Sequence, residues 1–527
     1  MTAFPMRRAA LLAAAALTLS APLAAQEFRP ELTIVQLNDI YRIDAVENGR
    51  AGGLGRVVTL VDGLKRGGAE VMVLHAGDMI APSLESQYFD GRQMIDALNH
   101  VDAAAPLIVV PGNHEFDSRR PAAFTGAVRR SRFPWLAGNL SLSTGDAAVD
   151  GNVGKDTVIT TRSGMKVGIF TLTFLDSRRE WARADSAFAA DAERMIRGLE
   201  RRGADVIVGL THVAHDTDRE IARLRARHPK FVWIAGGHEH FVLTDPLTRG
   251  SALITKGASN ARTVWRVELG RRGRQAMVRA DTVPLDSTVA WDAGYAAAVE
   301  APWADSIRAR VPIFDAMIGR SATRLEATEE TVRNAESAWG DWLADQMRGA
   351  YLNVPTDAAV LNGGAIRIDD TFQDTLRWEH LARTFGFPTR VGVVWLRGKD
   401  LRERVLEHSV SGGRGEGRFL QLSGLKVRFD RSRPEGSRVL AVQVRRGDAW
   451  QPLAEDSVYA VAVPDYLQGG GDGYTFHEVA VRALPPASEL RLMAFDALMA
   501  AYARGEAIVP RVEGRLVDET PRGAREP

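Results

Sequence analysis

The sequence predicts an α/β protein in two domains, and three observations carry that prediction. Short, β-branched, nearly continuous apolar runs recur through the first half at Leu32 to Leu37, Val71 to His75, Leu107 to Val110, Val206 to Leu210 and Phe231 to Ala235, as buried strands of a helix-covered sheet should. Helical patterns such as Gly52 to Lys65 and Ser186 to Arg201 alternate with them. At 527 residues the chain also exceeds what one ordinary core accommodates.

In chain order, Met6-Arg7-Arg8, the apolar stretch Ala9 to Leu19 and small residues ending near Ala25 read as a secretory signal peptide over 1–25. The apolar stretch falls short of the ~20 residues that span a bilayer, so no membrane anchor is expected. A first α/β domain is expected over 31–285 and a helical bridge over 286–312. A second α/β domain over 313–518 has a helix around Ser337 to Ala350 and strands at Ala358 to Leu361, Val391 to Leu396 and Val458 to Val463. Residues 519–527 read as a frayed tail, and Gly412 to Arg418 as a flexible surface loop. Trp339 and Trp342 read as core residues.

Composition narrows the function. The 67 basic and 66 acidic residues nearly balance, which argues against nucleic acid as a partner. The absence of cysteine excludes disulfides, thiolate ligands and a lipidated cysteine tether. The expected location is the periplasm or the medium, and the expected state a monomer.

Each apolar run ends in a block of acids, amides or histidines: Asn38-Asp39, Gly77-Asp78, Gly112-Asn113-His114-Glu115, Thr211-His212 and Gly236-Gly237-His238-Glu239-His240. Side chains at strand ends converge on one sheet edge, and this donor set suits two divalent ions. Ions held about 3.5–4 Å apart need a shared anionic bridge, for which Asp78 is the candidate. Asp39 and His240 would serve one ion, and Asn113, His212 and His238 the other. The residue types do not distinguish Mn, Zn, Fe, Co and Mg.

Gly-Asp, Gly-Asn-His-Glu and Gly-His-x-His in this order resemble the calcineurin-like metallophosphoesterases, and Gly112 to Asp117 resembles more narrowly the 5′-nucleotidase and UDP-sugar hydrolase branch. The resemblance implies a layered metallophosphoesterase domain with sheets flanked by helices, and a C-terminal α/β substrate-binding domain. It implies that metal-activated water attacks the phosphorus while His114, oriented by Asp117, stabilises the transition state or protonates the leaving oxygen. An imidazole with a pKa of about 6.5 suits that proton transfer.

One block departs from the family pattern. Where Asp-x-His is usual, the chain reads Asp39-Ile40-Tyr41, and a phenol with a pKa of about 10 is a poor ligand unless ionised. Tyr41 is expected either outside the coordination sphere with water as the remaining ligand, or beside a weakly held first ion. Ligation of a ferric ion as phenolate is the less favoured choice, because it needs a strongly acidic ion.

The second half resembles the 5′-nucleotidase C-terminal domain through Arg333-x-x-Glu336-x-x-x-Gly340, Asn362 to Arg367, Phe419, and Tyr466 followed by Gly470 to Tyr474. By that resemblance Phe419 and Tyr466 would sandwich a base, Asp472 would bind ribose hydroxyls, Asn362 would touch the base, and Arg333 and Arg367 would hold phosphate oxygens. Tyr466, Ala365 and Phe387 depart from the residues common there, which bears on base preference. The expected substrates are nucleoside 5′-monophosphates. The alternatives are 2′,3′-cyclic nucleotides, nucleotide sugars, or a non-nucleotide phosphoester or sulfur conjugate, and, from another class, a nucleotide-binding receptor with a degraded metal centre.

Overall fold

The computed structural model describes residues 28–176, 178–273, 275–350 and 354–521. The expected signal peptide, 1–25, lies outside the described residues, as does the end of the tail from 522 onward.

In the first half the five runs become Leu32–Leu37 (β1), Val71–His75 (β2), Leu107–Val109 (β3), Val206–His212 (β4) and Phe231–Gly236 (β5). Strands β1, β2 and β3 pair in parallel, and the antiparallel strands Thr263–Arg272 and Gln275–Pro284 extend that sheet beyond β1. Strands β4 and β5 lie parallel at the centre of a second, six-stranded sheet.

Alternation within each strand sets the layers. Ile34, Met72, Leu74 and Ile108 face the second sheet and share a core with Val208, Val232 and Trp233. Val35, Leu37, Val73 and Val109 point the other way, into a core with Leu54, Val57, Met94 and Leu98. Phe170, Ile207, Phe231 and Ile234 pack against Met195, Ile196 and Leu199 of the helix Phe188–Arg201. The outcome is helix, sheet, sheet, helix: both inner faces are apolar, so two sheets bury each other and helices cover the outer faces.

A continuous helical segment, Ala293–Tyr295, Ala296–Glu300 and Ala301–Arg310, leads to the second half. There a five-stranded sheet runs in the order Leu420–Ser423, Ala358–Asn362, Val458–Pro464, Arg390–Arg397, Arg482–Glu489, beside a four-stranded sheet. Trp339 is buried and stacks on Trp342 with ring centroids 5.1 Å apart, as core residues should.

Two expectations are corrected. The Gly412 to Arg418 loop is held at the boundary between the halves: Gly415 accepts a hydrogen bond from Arg333 (3.0 Å), its N–H donates to Asn334 (2.9 Å), and it abuts Phe241. The start of the tail is also anchored, since Glu519 N–H donates to the Phe429 carbonyl (2.8 Å) and its carboxylate meets Arg428 at 2.6 Å.

Candidate metal centre

The loops leaving the C-terminal ends of β1 to β5 meet at one edge, and their backbone is forced there. Asp39, Asp78 and His238 have φ values of 53°, 60° and 86°, a region that non-glycine residues occupy only when surrounding structure holds them. The holding group is chiefly Glu115. Its buried carboxylate accepts hydrogen bonds from the backbone N–H groups of Asp78 (2.9 Å), Met79 (2.7 Å), Ile80 (2.9 Å) and Gly112 (2.5 Å). Asp39 N–H in turn donates to the Gly77 carbonyl and Ile40 N–H to that of Asp78, both at 2.9 Å. Two glycines make the approach possible: a Cβ on Gly77 would lie 2.5 Å from His212 Nδ1, and one on Gly112 would lie 2.2 Å from Asp78 Oδ1.

Around this turn Asp39, Asp78 and His212 offer ligand atoms within 4.8 Å of one another. His212 Nδ1 is held by the Ala76 carbonyl at 2.6 Å, which leaves Nε2 facing Asp78 Oδ2 (3.4 Å) and Asn113 Oδ1 (3.0 Å). Asn113 gives its amide nitrogen to Asp176 at 2.5 Å, so its oxygen is the atom turned toward His212. The His238 ring stands 5.5 Å from that of His212, centroid to centroid, and Phe174 packs edge-on against it at 4.9 Å. His240 Nε2 lies 3.5 Å from Asp39 Oδ1. All six metal-ligand candidates of the sequence are thus brought to one place.

Tyr41 is there as well. Its buried hydroxyl lies 3.2 Å from Asp39 Oδ1, 3.2 Å from Asp78 Oδ2 and 3.0 Å from His240 Nε2. Burial, with Asp78 and Asp39 beside it, holds the phenol well above its ordinary pKa, so it is a protonated donor among these acceptors.

The donor set fits divalent cations. Among the described residues no Lys or Arg side chain pairs with Asp39 or Asp78; Asp78 draws on the His212 and His114 imidazoles instead and, against burial, raises His212 to about 10, a proton that a divalent cation would displace. Burial, with repulsion from Asp78, pushes Asp39 up to about 7. Asp78 is pulled the other way: despite its burial, His212 and His114 hold it well below the usual carboxylate range. Burial lowers His238 to about 4 and His240 to about 3, which keeps both imidazoles in the neutral, ligating form.

His114 stands at the rim. Its Nδ1 meets Asp117 Oδ2 at 2.8 Å and its Nε2 lies 3.9 Å from Asp78 Oδ2. Against burial, Asp117 and Asp78 carry this imidazole up to about 9, a charged donor at neutral pH. The Asp117 side chain serves His114, while the following helix Ala122–Arg130 starts at Pro121 with no side-chain cap.

The second half closes over this edge. Arg367 lies over the Tyr41 ring (5.1 Å), and Phe387 stands 5.7 Å from the His114 ring. Arg333 is buried and pairs with Glu329 four residues earlier (2.5 Å), while Glu336 accepts backbone hydrogen bonds from Glu513 and Leu516. Asn362 Nδ2 donates to Asp472 Oδ2 (2.9 Å) and the Tyr466 hydroxyl to Asp472 Oδ1 (3.0 Å), so these three residues form one cluster. Tyr466 is 53% exposed, but Phe419 is only 2% exposed, lies in the core beside Phe429 and is covered by the Arg431 guanidinium at 5.1 Å. In this arrangement Phe419 is a core ring without an open stacking face.

Several residues escaped sequence reading. Glu329 and Asp369 of the second half, and Asn260 and Arg262 of the first, are bound together through Arg262 to Glu329 (2.7 Å), an Arg262–Asp369 pair and Asn260 to Asp369 (3.2 Å). Asn260 also accepts from Tyr41 N–H at 3.0 Å. The spacing of Glu329 before Arg333 was the one local signal.

Family models match both halves: calcineurin-like phosphoesterase over residues 32–242 and 5′-nucleotidase, C-terminal domain, over 317–478. The chain belongs to the calcineurin-like 5′-nucleotidase family. It is 25% identical over 501 residues to a 5′-nucleotidase of Bos taurus, a match covering 84% of each chain. Among solved structures, a 5′-nucleotidase precursor from Thermus thermophilus matches with a TM-score of 0.75 at 24% identity, covering 93% of this chain and 100% of that one. The sulfate thiohydrolase SoxB of Thermus thermophilus matches with a TM-score of 0.69 at 16% identity, covering 94% and 98%, a likeness of fold. Membership makes this protein a metallophosphoesterase, a hydrolase of nucleotide phosphoesters that works with divalent metal. Among the described residues no helix is long and apolar enough to cross a membrane.

Proposed function

We propose that the protein is an exported phosphomonoesterase with two divalent ions, converting nucleoside 5′-monophosphates and water to nucleosides and phosphate. The observation that carries this reading is a set of waiting donors: among the described residues Arg367 Nε and Nη1 and Arg333 Nε are buried and have no acceptor, beside the ligand cluster. Buried guanidinium N–H groups without acceptors are costly, and phosphate oxygens would satisfy them.

Asp39, Asp78 and His240 would hold one ion, and Asp78, Asn113, His212 and His238 the other. When bound, such ions supply Lewis acidity and a nucleophilic water at neutral pH. Arg367 and Arg333 orient the phosphate from the second half. His114, fixed by Asp117, presents its Nε2 proton to the charge that develops on oxygen. Tyr466, Asp472 and Asn362 line the face offered to the nucleoside, and the unpartnered Asn362 Oδ1 supports contact with a base or sugar donor.

Domains over 31–285 and 313–518, joined by 286–312, belong to the same reading, as do a cleaved segment 1–25, a periplasmic or secreted location and a monomer. His114→Ala is expected to cut phosphate release from nucleoside monophosphates by about 10²–10⁴-fold while both ions stay bound. Turnover like that of the wild type in that variant would sink the assignment. One observation favours a second reading. The covered face of Phe419 suits a small phosphoester without a base, and equal kcat/KM for ribose 5-phosphate and the nucleotide would select it.

A further inference from the structure

One ligand assigned to the first ion is held in place by the other half of the chain. His240 Nδ1 meets Glu329 Oε1 at 2.5 Å, and Glu329 belongs to the short helix Glu329–Val332 of the second half. A carboxylate can only accept, so Nδ1 carries the proton and the Nε2 lone pair is turned toward Asp39 and the Tyr41 hydroxyl. The same carboxylate is anchored to the first half through Arg262 (2.7 Å) and Ser259, and to its own half through Arg333 (2.5 Å), while Glu329 N–H donates to Asp369 (2.8 Å). With 8% of its surface exposed, it has little freedom to turn away. His212, by contrast, gets the equivalent support from the Ala76 carbonyl of its own domain.

We propose that Glu329 is a positioning residue for the first metal ion, fixing the tautomer and orientation of His240 across the domain boundary, so that this ion's site is complete only when the two halves are docked. The carboxylate that sets His240 also holds Arg333, which ties the first ion to the arm assigned to phosphate. The inference rests on the two-ion reading given above.

The test is manganese(II) titration of the full chain by calorimetry, without substrate. Two binding events are expected in the wild type. Glu329→Ala should weaken one of them by about 10–100-fold and leave the other unchanged. Glu329→Gln, whose amide oxygen still accepts from Nδ1–H, should restore most of the loss. Nitrogen NMR of the imidazoles should show His240 protonated at Nδ1 in the wild type and the Gln variant and not in the Ala variant. Asp370→Asn removes one charge at the boundary with Arg42 (3.0 Å) while Arg42 keeps its bond to the Ile368 carbonyl (2.9 Å), so the halves stay docked; it is the control and should leave both affinities in place. Unchanged affinities in Glu329→Ala, a Gln variant as damaged as the Ala variant, or an equal loss in Asp370→Asn would each overturn the inference. The nucleotidase reading fails by a different result: a protein that binds both ions and releases no phosphate from nucleotides.

Discussion

The two halves of the metal centre are built differently. The ligands assigned to the second ion are oriented within one domain: His212 by the Ala76 carbonyl, Asn113 by Asp176, and His238 between Phe174 and His212. Of those assigned to the first ion, Asp39 is held within its own domain by Asn38 (2.8 Å) and His238 N–H (3.0 Å), but His240 and the neighbouring Tyr41 are oriented from outside it. His240 rests on Glu329, Tyr41 lies under Arg367, and the Asn260 that receives Tyr41 N–H is held by Asp369. A site whose supports lie on its own scaffold keeps its geometry whatever the other half does. A site whose supports cross a boundary changes when that boundary moves.

The largest effect should come from removing what both ion sites share. Glu115→Ala strips the acceptor from four buried backbone N–H groups, each costing about 1–3 kcal/mol when left unmade. Denaturant unfolding should show a loss of several kcal/mol, and metal analysis the loss of both ions. Retention of the second ion would show that the domain scaffold holds that site without Glu115, and would widen the contrast between the two.

Tyr41→His should affect the first ion alone. An imidazole in place of a phenol held protonated by burial and its acid neighbours should tighten that ion by at least about tenfold, roughly 1.4 kcal/mol, in competition with a chromophoric chelator. Iron-loaded wild type is expected to show no visible phenolate band. A band that Tyr41→Phe abolishes would put the phenolate among the ligands and reverse this account of the site.

The smallest effect lies away from both ions. Burial pushes Asp341 up to about 9 against the pull of Arg515, whose Nη atoms are committed to Asp345 (2.7 and 2.9 Å) and Glu513 (3.0 Å), while its Nε lies 3.4 Å from the Asp341 carboxylate. Because the folded value lies above the unfolded one of about 3.9, the folded chain binds the proton more tightly and stability falls as pH rises from about 4 to about 9. Asp341→Asn should flatten that decline in thermal melts and leave both ion affinities unchanged. A change in either affinity would show that the second half transmits its packing to the metal edge by routes other than Glu329.

Much of this was legible in the sequence for a local reason. Strands at β1 to β5 announce themselves by β-branched runs, and the ligands follow directly at their ends, so convergence on one edge follows from sheet geometry. The motif Gly112 to Asp117 likewise brought His114 and Asp117 together three residues apart. What lay beyond reach were pairings with no local period. Phe419 looks in sequence like an aromatic available for stacking, and only packing against Phe429 and Arg431 closes it. The Gly412 to Arg418 loop looks free by composition, and only Arg333, Asn334 and Phe241 pin it.

The sequence by itself thus determined the α/β class, the family, the ligand types and the departure at Tyr41, because strand period and residue chemistry are local properties. The tertiary structure decided which groups hold those ligands in place. Glu329 stands 89 residues from His240 and on a different domain, and a contact at that separation exists only once both halves are folded and docked.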